Sequence, residues 1–268
     1  MGGTDKRRRR ALEKELTAVR KQEARQEQAA RKARSDSWKS ELEKRIPPKA
    51  RAGLEAAFRK GFEIVFSQGR GVIEKSYRKE ELTTEHAIRD YAVRLRGGRR
   101  ELRQLRRSAA HANLRNLAVT AVEGIGLGAL GIGMPDVVLF LGMLLKGIYE
   151  TALSYGFEYG SRQEQLLILK LMQTALSRGE EWTRNNEAVD CLLSEAPAEV
   201  TDEEFQRQLN DTASVFALDL LLLKFLQGLP VVGILGGAAD PVYYDKVMKY
   251  VQLKYRKRYL LKLMLIIH

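Results

Sequence analysis

The sequence has one cysteine, Cys191, and three histidines, His86, His111 and His268. A single thiol excludes a disulfide framework and any cysteine-based zinc site. Three scattered imidazoles leave little for metal chemistry, and His86 and His111 each lack a second ligand nearby in sequence, so they read as surface or core histidines. Cys191 precedes Leu192 and Leu193 and reads as a small buried apolar residue rather than a nucleophile. No H-E-x-x-H, G-x-S-x-G or Walker lysine motif is present. The expectation is a protein that is not an enzyme and uses no cofactor. Alternating strand patterns and Asn-Gly or Asp-Gly hairpin turns are also missing, which excludes a β-rich fold.

Negative charge is outnumbered at both ends. Across 268 residues, 46 Lys+Arg face 34 Asp+Glu, a net charge of +12. Residues 1–120 hold 32 Lys+Arg against 16 Asp+Glu, residues 121–245 hold 7 against 18, and residues 246–268 hold 7 against none. Two basic ends flanking an acidic, apolar middle point to an anionic partner, either a phospholipid surface or nucleic acid. The start, with Arg7 to Arg10 close behind Met1, offers no apolar run for a secretory signal, and Lys6 stands where a myristoylation motif needs Ser or Thr. A cytoplasmic protein is expected.

Residues 6–46 read as one charged helix or two, with a thin apolar stripe at Leu12, Leu16 and Val19. Such a stripe is too narrow for a core, so residues 1–46 are expected to form a solvated basic helical arm, partly disordered. Pro47-Pro48 marks the boundary to a helical domain over 47–268. There, Leu54, Phe58, Phe62 and Phe66 recur every fourth residue up to a stop at Gly69-Arg70-Gly71. Thr83 or Thr84 can cap a helix bearing Ile88, Tyr91, Ala92 and Leu95, ended by Gly97-Gly98. The next helix opens with Arg99, Arg100, Arg103, Arg106 and Arg107. Ser161-x-x-Glu164 and Thr201-x-x-Glu204 are capping boxes.

Two apolar, glycine-rich stretches interrupt this pattern. Gly124–Leu145 has one charge, Asp136, which with Pro135 is placed to start a helix running to Tyr155 and ending on Gly156. The second, Phe225 to Asp240, is broken by Gly228-Leu-Pro230. Gly126-Leu-Gly-Ala-Leu-Gly131 fits the dinucleotide fingerprint by letter, but no strand precedes it and Pro135 interrupts the segment after it. The first stretch, at 22 residues, is long enough to span a bilayer, yet Pro135-Asp136 puts a helix start in its middle, and the second stretch is similarly broken. They read as two broken apolar hairpins, packed together or dipped into a membrane face. After Asp240-Pro241 comes a basic final helix with Lys254, Arg256, Lys257 and Arg258 interleaved with Tyr250, Tyr255 and Tyr259. The fold class is all-α: a multi-helix bundle with two glycine/proline-broken apolar hairpins and a charged N-terminal helical arm.

The stretch Gly131-Ile-Gly-Met-Pro-Asp136, the helix leading to Ser154-Tyr-Gly-Phe157, the helix over 165–176 and Gly228-Leu-Pro-Val-Val-Gly-Ile-Leu-Gly-Gly237 before a Tyr/Arg/Lys-rich helix together resemble the EcsC family. The resemblance runs from about Pro47 to Leu261 and leaves the arm outside. It implies a helical bacterial protein linked to the membrane and, by name, to an ABC-exporter operon. It implies no established reaction and no catalytic residues.

The resulting expectation is a peripheral membrane protein on the inner face of the membrane, accessory to an ABC-type transporter, with a transporter subunit as a further partner. Anionic lipid would meet Arg99, Arg100, Arg103, Arg106 and Arg107 on one helix and Lys254, Arg256, Lys257 and Arg258 on another. Gly131, Gly133, Pro135, Asp136, Tyr155, Gly156, Pro230 and Gly233 would shape the hairpins. The alternatives are a nucleic-acid-binding helical module, for which no recognition motif is present, and a soluble protein-interaction scaffold. Basic beside apolar surface favours lipid, because both attractions act at once.

Overall fold

A computed structural model describes residues 3–35, 41, 43–114, 135–195, 199–226 and 239–266. Its regular elements are α1 (Gly3–Ser35), α2 (Pro48–Ile64), a π-helical turn (Val65–Gly69), α3 (Arg70–Lys75), α4 (Lys79–Arg96), α5 (Arg99–Leu114), α6 (Pro135–Ser154), α7 (Arg162–Leu176), α8 (Gly179–Ser194), α9 (Asp202–Leu226) and α10 (Ala239–Ile266). Among the described residues there is no strand. The all-α class is as the sequence indicates.

The apolar helix α6 forms the middle of the bundle, with α2, α4, α5 and α10 packed around it. Its window Val137–Ser154 is long and apolar enough to cross a membrane, but 83% of it is buried inside the protein. This helix therefore spends its hydrophobicity on the core. A second seam joins α2 to α9, where Phe58 and Phe62 meet Phe216 at ring-centroid distances of 5.4 and 5.6 Å. The π-helical turn and α3 carry the chain past Gly69–Gly71 without a stop, contrary to the expectation of a break there.

The helix ends reflect local chemistry. Gly156 adopts φ +75°, its N–H donates to Leu153 O, and Phe157 N–H donates to Ala152 O at 2.9 Å, so both C-terminal carbonyls of α6 are satisfied by a left-handed cap. This is the end expected from the sequence. Gly97 closes α4 in the same left-handed region, at φ +58°. Thr201 and Glu204 form a complete capping box, each donating a backbone N–H to the other's side chain. At α7 only half of the box forms: Glu164 N–H donates to Ser161 Oγ, while the Glu164 carboxylate turns to α10 instead. Thr83 caps nothing; α4 starts at Lys79 and the Thr83 hydroxyl donates to the Lys79 carbonyl within it.

α1 departs from the expected solvated arm. It lies along α8 and α10, and Leu12, Leu16 and Val19 are buried there. The thin stripe suffices because charged groups extend the contact: Glu15 and Glu23 are also buried, each against cations of α10.

Of the hairpin-shaping residues, Gly131, Gly133, Pro230 and Gly233 lie outside the described residues. Pro135 is the first residue of α6, and Asp136 falls within its first turn rather than before it. Tyr155 is buried beyond the end of α6.

Candidate functional site

The nine cations singled out in the sequence divide into two groups. Those on α10 are engaged inside the protein. Lys254 is wholly buried, its Nζ donating to Glu23 and Asp190, both at 2.6 Å. Lys257 donates to the same two carboxylates at 2.8–3.0 Å, so two lysines and two acids form a neutral cluster joining α1, α8 and α10. Burial pulls the Lys254 ammonium below the ordinary lysine range. At Lys257 burial acts in the same direction but is outweighed by hydrogen bonds to Asp190 and Glu23, which raise it. Arg256 donates to Glu15 at 2.5 Å, and Arg258 donates to both oxygens of Glu164 at 2.8–2.9 Å while lying over the Phe157 ring. These four do not form a free cationic face. The physical reason is the carboxylates of α1, α7 and α8, distant in sequence, which fold against them.

The cations of α5 remain at the surface. Arg100, Arg103 and Arg107 are exposed and Arg106 is half-buried. Arg99 reaches Glu15 at 3.4 Å but is still 44% exposed. The α1 helix adds a row within the basic arm, whose individual cations the sequence reading does not single out. Arg7, Arg10, Lys14, Lys21 and Arg25 are all exposed and fall within one arc of the helix, spread over about 27 Å at 1.5 Å per residue. Their 3- and 4-residue spacings were the available signal, obscured by the many other charges of the arm.

Two cavities open where α1 meets its neighbours. One, of about 420 Å³, is lined by Lys6, Arg7, Arg10, Lys14 and Arg99 with Ala11 and Gly98. It marks the corner where the start of α1 meets the α4–α5 turn. The stem of Arg8 lies so close to Gly97 that a Cβ there would come within 2.8 Å of it. The other, of about 570 Å³, runs between α1, α5 and α10. Its cations are Arg25, Arg106, Arg107, Lys249 and Arg256, joined by Gln22, Gln26 and Gln252. No carboxylate lines either cavity. Tyr155 borders the larger one, and burial raises its phenol above the ordinary tyrosine range despite the opposing pull of Arg256 and Arg106.

Next to this charge stands exposed apolar surface. Ile88, Tyr91 and Leu95 are 65%, 66% and 63% exposed. Spaced three and four apart, they form one outward stripe of α4, while Val93 and Asp90 face inward. The periodicity of this helix is visible in the sequence, but it marks the outside. Leu95 sits two residues before Gly97 and so shares the corner with Arg96, Arg99 and Arg100. Leu265 and Ile266, at the end of α10, are exposed as well.

The family model of the EcsC protein family matches residues 10–260. The chain belongs to the EcsC family. The match begins inside α1, so this EcsC-family protein includes most of the arm in its family pattern, where the sequence-based boundary at Pro47 had left it out. No curated protein and no solved structure matches the chain. Other side chains with chemistry on offer are accounted for by packing. His86 hydrogen-bonds the Ser154 carbonyl through Nδ1 at 3.0 Å, and burial lowers its imidazole below the ordinary value. Cys191 is exposed, not buried as expected, because it falls on the outer side of α8 from Val189 and Trp182. Asp219 pairs with Arg178 and Lys246. Among the described residues no group of three His, Cys, Asp or Glu residues could hold a metal.

Proposed function

We propose that this EcsC-family protein docks peripherally on an anionic membrane surface from the cytoplasmic side, without catalysing a reaction. The observation that carries this reading is the outward stripe Ile88–Tyr91–Leu95 ending at the corner of Arg96, Arg99, Arg100, Arg7 and Arg10. Large apolar side chains in a row on a helix surface are costly in water and need a reason. At a phospholipid interface they enter the acyl boundary while arginines meet phosphates. Each basic residue near such a surface contributes about 1 kcal/mol, and each fully transferred apolar side chain up to about 1.5–3 kcal/mol. A nucleic acid would use the cations alone and leave the stripe in water.

An accessory role beside an ABC-type transporter belongs to the same proposal. With the basic face at the lipid, exposed acids such as Glu181, Glu187 and Glu203 remain for a basic partner subunit.

Flotation with liposomes tests the docking. The full chain is expected to float with vesicles containing phosphatidylglycerol and to stay behind with phosphatidylcholine alone. Replacing Ile88, Tyr91 and Leu95 together by serine should reduce flotation at least about tenfold without lowering thermal stability, since these side chains are already exposed. Equal recovery on both vesicle types, or retention on generic RNA unaffected by the triple substitution combined with no flotation, would contradict the reading.

A further inference from the structure

We infer that the cleft between α1, α5 and α10 is a binding site for a compact ligand bearing two or more phosphate groups. The inference rests on reading this face as anion-binding, but not on the presence of a membrane.

The cleft's charges are not equivalent. Lys249 is held by Asp245 at 2.5 Å and Arg256 by Glu15 at 2.5 Å. Arg25, Arg106 and Arg107 make no ion pair among the described residues. Three uncompensated guanidinium groups from two helices therefore converge on one cavity that has no acid in its lining. Like charges gathered this way repel one another, and an anion relieves them. A phosphate monoester carries about −1.5 to −2 near neutral pH and a phosphodiester about −1, so a single phosphate of either kind leaves three guanidinium groups under-balanced. Guanidinium groups suit this partner because their planar forks bind phosphoryl oxygens in pairs.

The volume agrees. At about 570 Å³ the cleft falls within the range of roughly 300–1,000 Å³ usual for small-ligand sites and well exceeds the need of one orthophosphate. Gln22, Gln26 and Gln252 offer both donors and acceptors, which suits ester and hydroxyl oxygens between phosphates. Two phosphates joined by a short polar bridge occur in a diphosphate-bearing lipid headgroup and in soluble diphosphates. The cleft's chemistry fits both.

Titration calorimetry on the full chain at fixed ionic strength tests this, with inorganic pyrophosphate as probe and sulfate as comparison. One-to-one binding of pyrophosphate is expected, about tenfold or more tighter than sulfate. The double variant Arg106→Gln/Arg107→Gln, or Arg25→Gln alone from the opposite wall, should weaken it about tenfold. Arg100→Gln/Arg103→Gln removes the same charge outside the cleft and should change it less than about twofold. If the first double variant folds poorly, Arg25→Gln carries the test.

Vesicles containing cardiolipin, compared with phosphatidylglycerol at equal charge, distinguish the sources. Preference for cardiolipin that pyrophosphate abolishes assigns the site to a headgroup. Cleft-dependent pyrophosphate binding without such preference assigns it to a soluble ligand. Pyrophosphate no better than sulfate, or equal losses from the two double variants, would reduce the cleft to general surface charge and overturn the inference. The Ile88/Tyr91/Leu95 triple variant keeps the two proposals apart: it should lose flotation and retain pyrophosphate.

Discussion

Lys254 shows how much a single buried cation can hold. Its ammonium joins Glu23 of α1 to Asp190 of α8 at the centre of a cluster that is neutral only while all four members are present. Lys254→Met leaves a buried excess of negative charge, and a loss of about 3–5 kcal/mol in denaturant unfolding is expected. Gly156 is constrained twice: by its positive φ, and by His86, whose Nε2 occupies the space a Cβ would need. Gly156→Ala should cost at least about 1–3 kcal/mol, measured the same way. His86 itself makes stability depend on pH. Its folded value lies below the ordinary 6.5 because of burial, so just below that pH the unfolded chain binds a proton the folded chain refuses. Stability contributed by neutral His86 is full above 6.5 and declines as the pH falls through the depressed value. Unfolding free energies at about pH 5 and about pH 7.5 should differ less in His86→Gln than in the parent protein.

At the scale of elements, α1 is a strap and not a tail. Leu12, Leu16 and Val19 supply its apolar contact, and Glu15 and Glu23 its polar contact. Leu16→Asp should release hydrogen-exchange protection across α1 while leaving α7 and α9 protected. The same residues show how far the sequence alone was legible. Helices α7, α9 and α10, the left-handed stops at Gly97 and Gly156, the Thr201 capping box and the Ser161 half of the other are local chemistry, and local spacing reveals them. The partners of charged residues are not local. Glu15 lies 241 positions from Arg256, and Glu23 lies 231 from Lys254. Nothing in a run of basic residues indicates which will be neutralised by a distant acid, so α10 read as a lipid-facing helix although Lys254, Arg256, Lys257 and Arg258 are engaged internally. The reverse holds on α4, where Ile88, Tyr91 and Leu95 have the periodicity of a core stripe and face outward.

For the whole molecule, charge and hydrophobicity are sorted in an order the linear sequence conceals. The most apolar helix, α6, is in the centre, the cations Lys254 to Arg258 of α10 are tied down beside it, and exposed cations gather on α1 and α5, with the apolar stripe of α4 ending at the turn that meets the start of α1. On the proposed reading, the corner where the α4 stripe meets the start of α1 and α5 is the part that faces an anionic interface. The direct test is its orientation there. In a Cys191→Ser background, an environment-sensitive fluorophore is attached to cysteine at position 91 on α4, or at position 203 at the start of α9. On vesicles containing phosphatidylglycerol, the label at 91 is predicted to shift to the blue and be quenched by lipid-borne nitroxide, with the label at 203 unchanged. Identical behaviour at the two positions, or no change at 91 on anionic vesicles, would contradict the account.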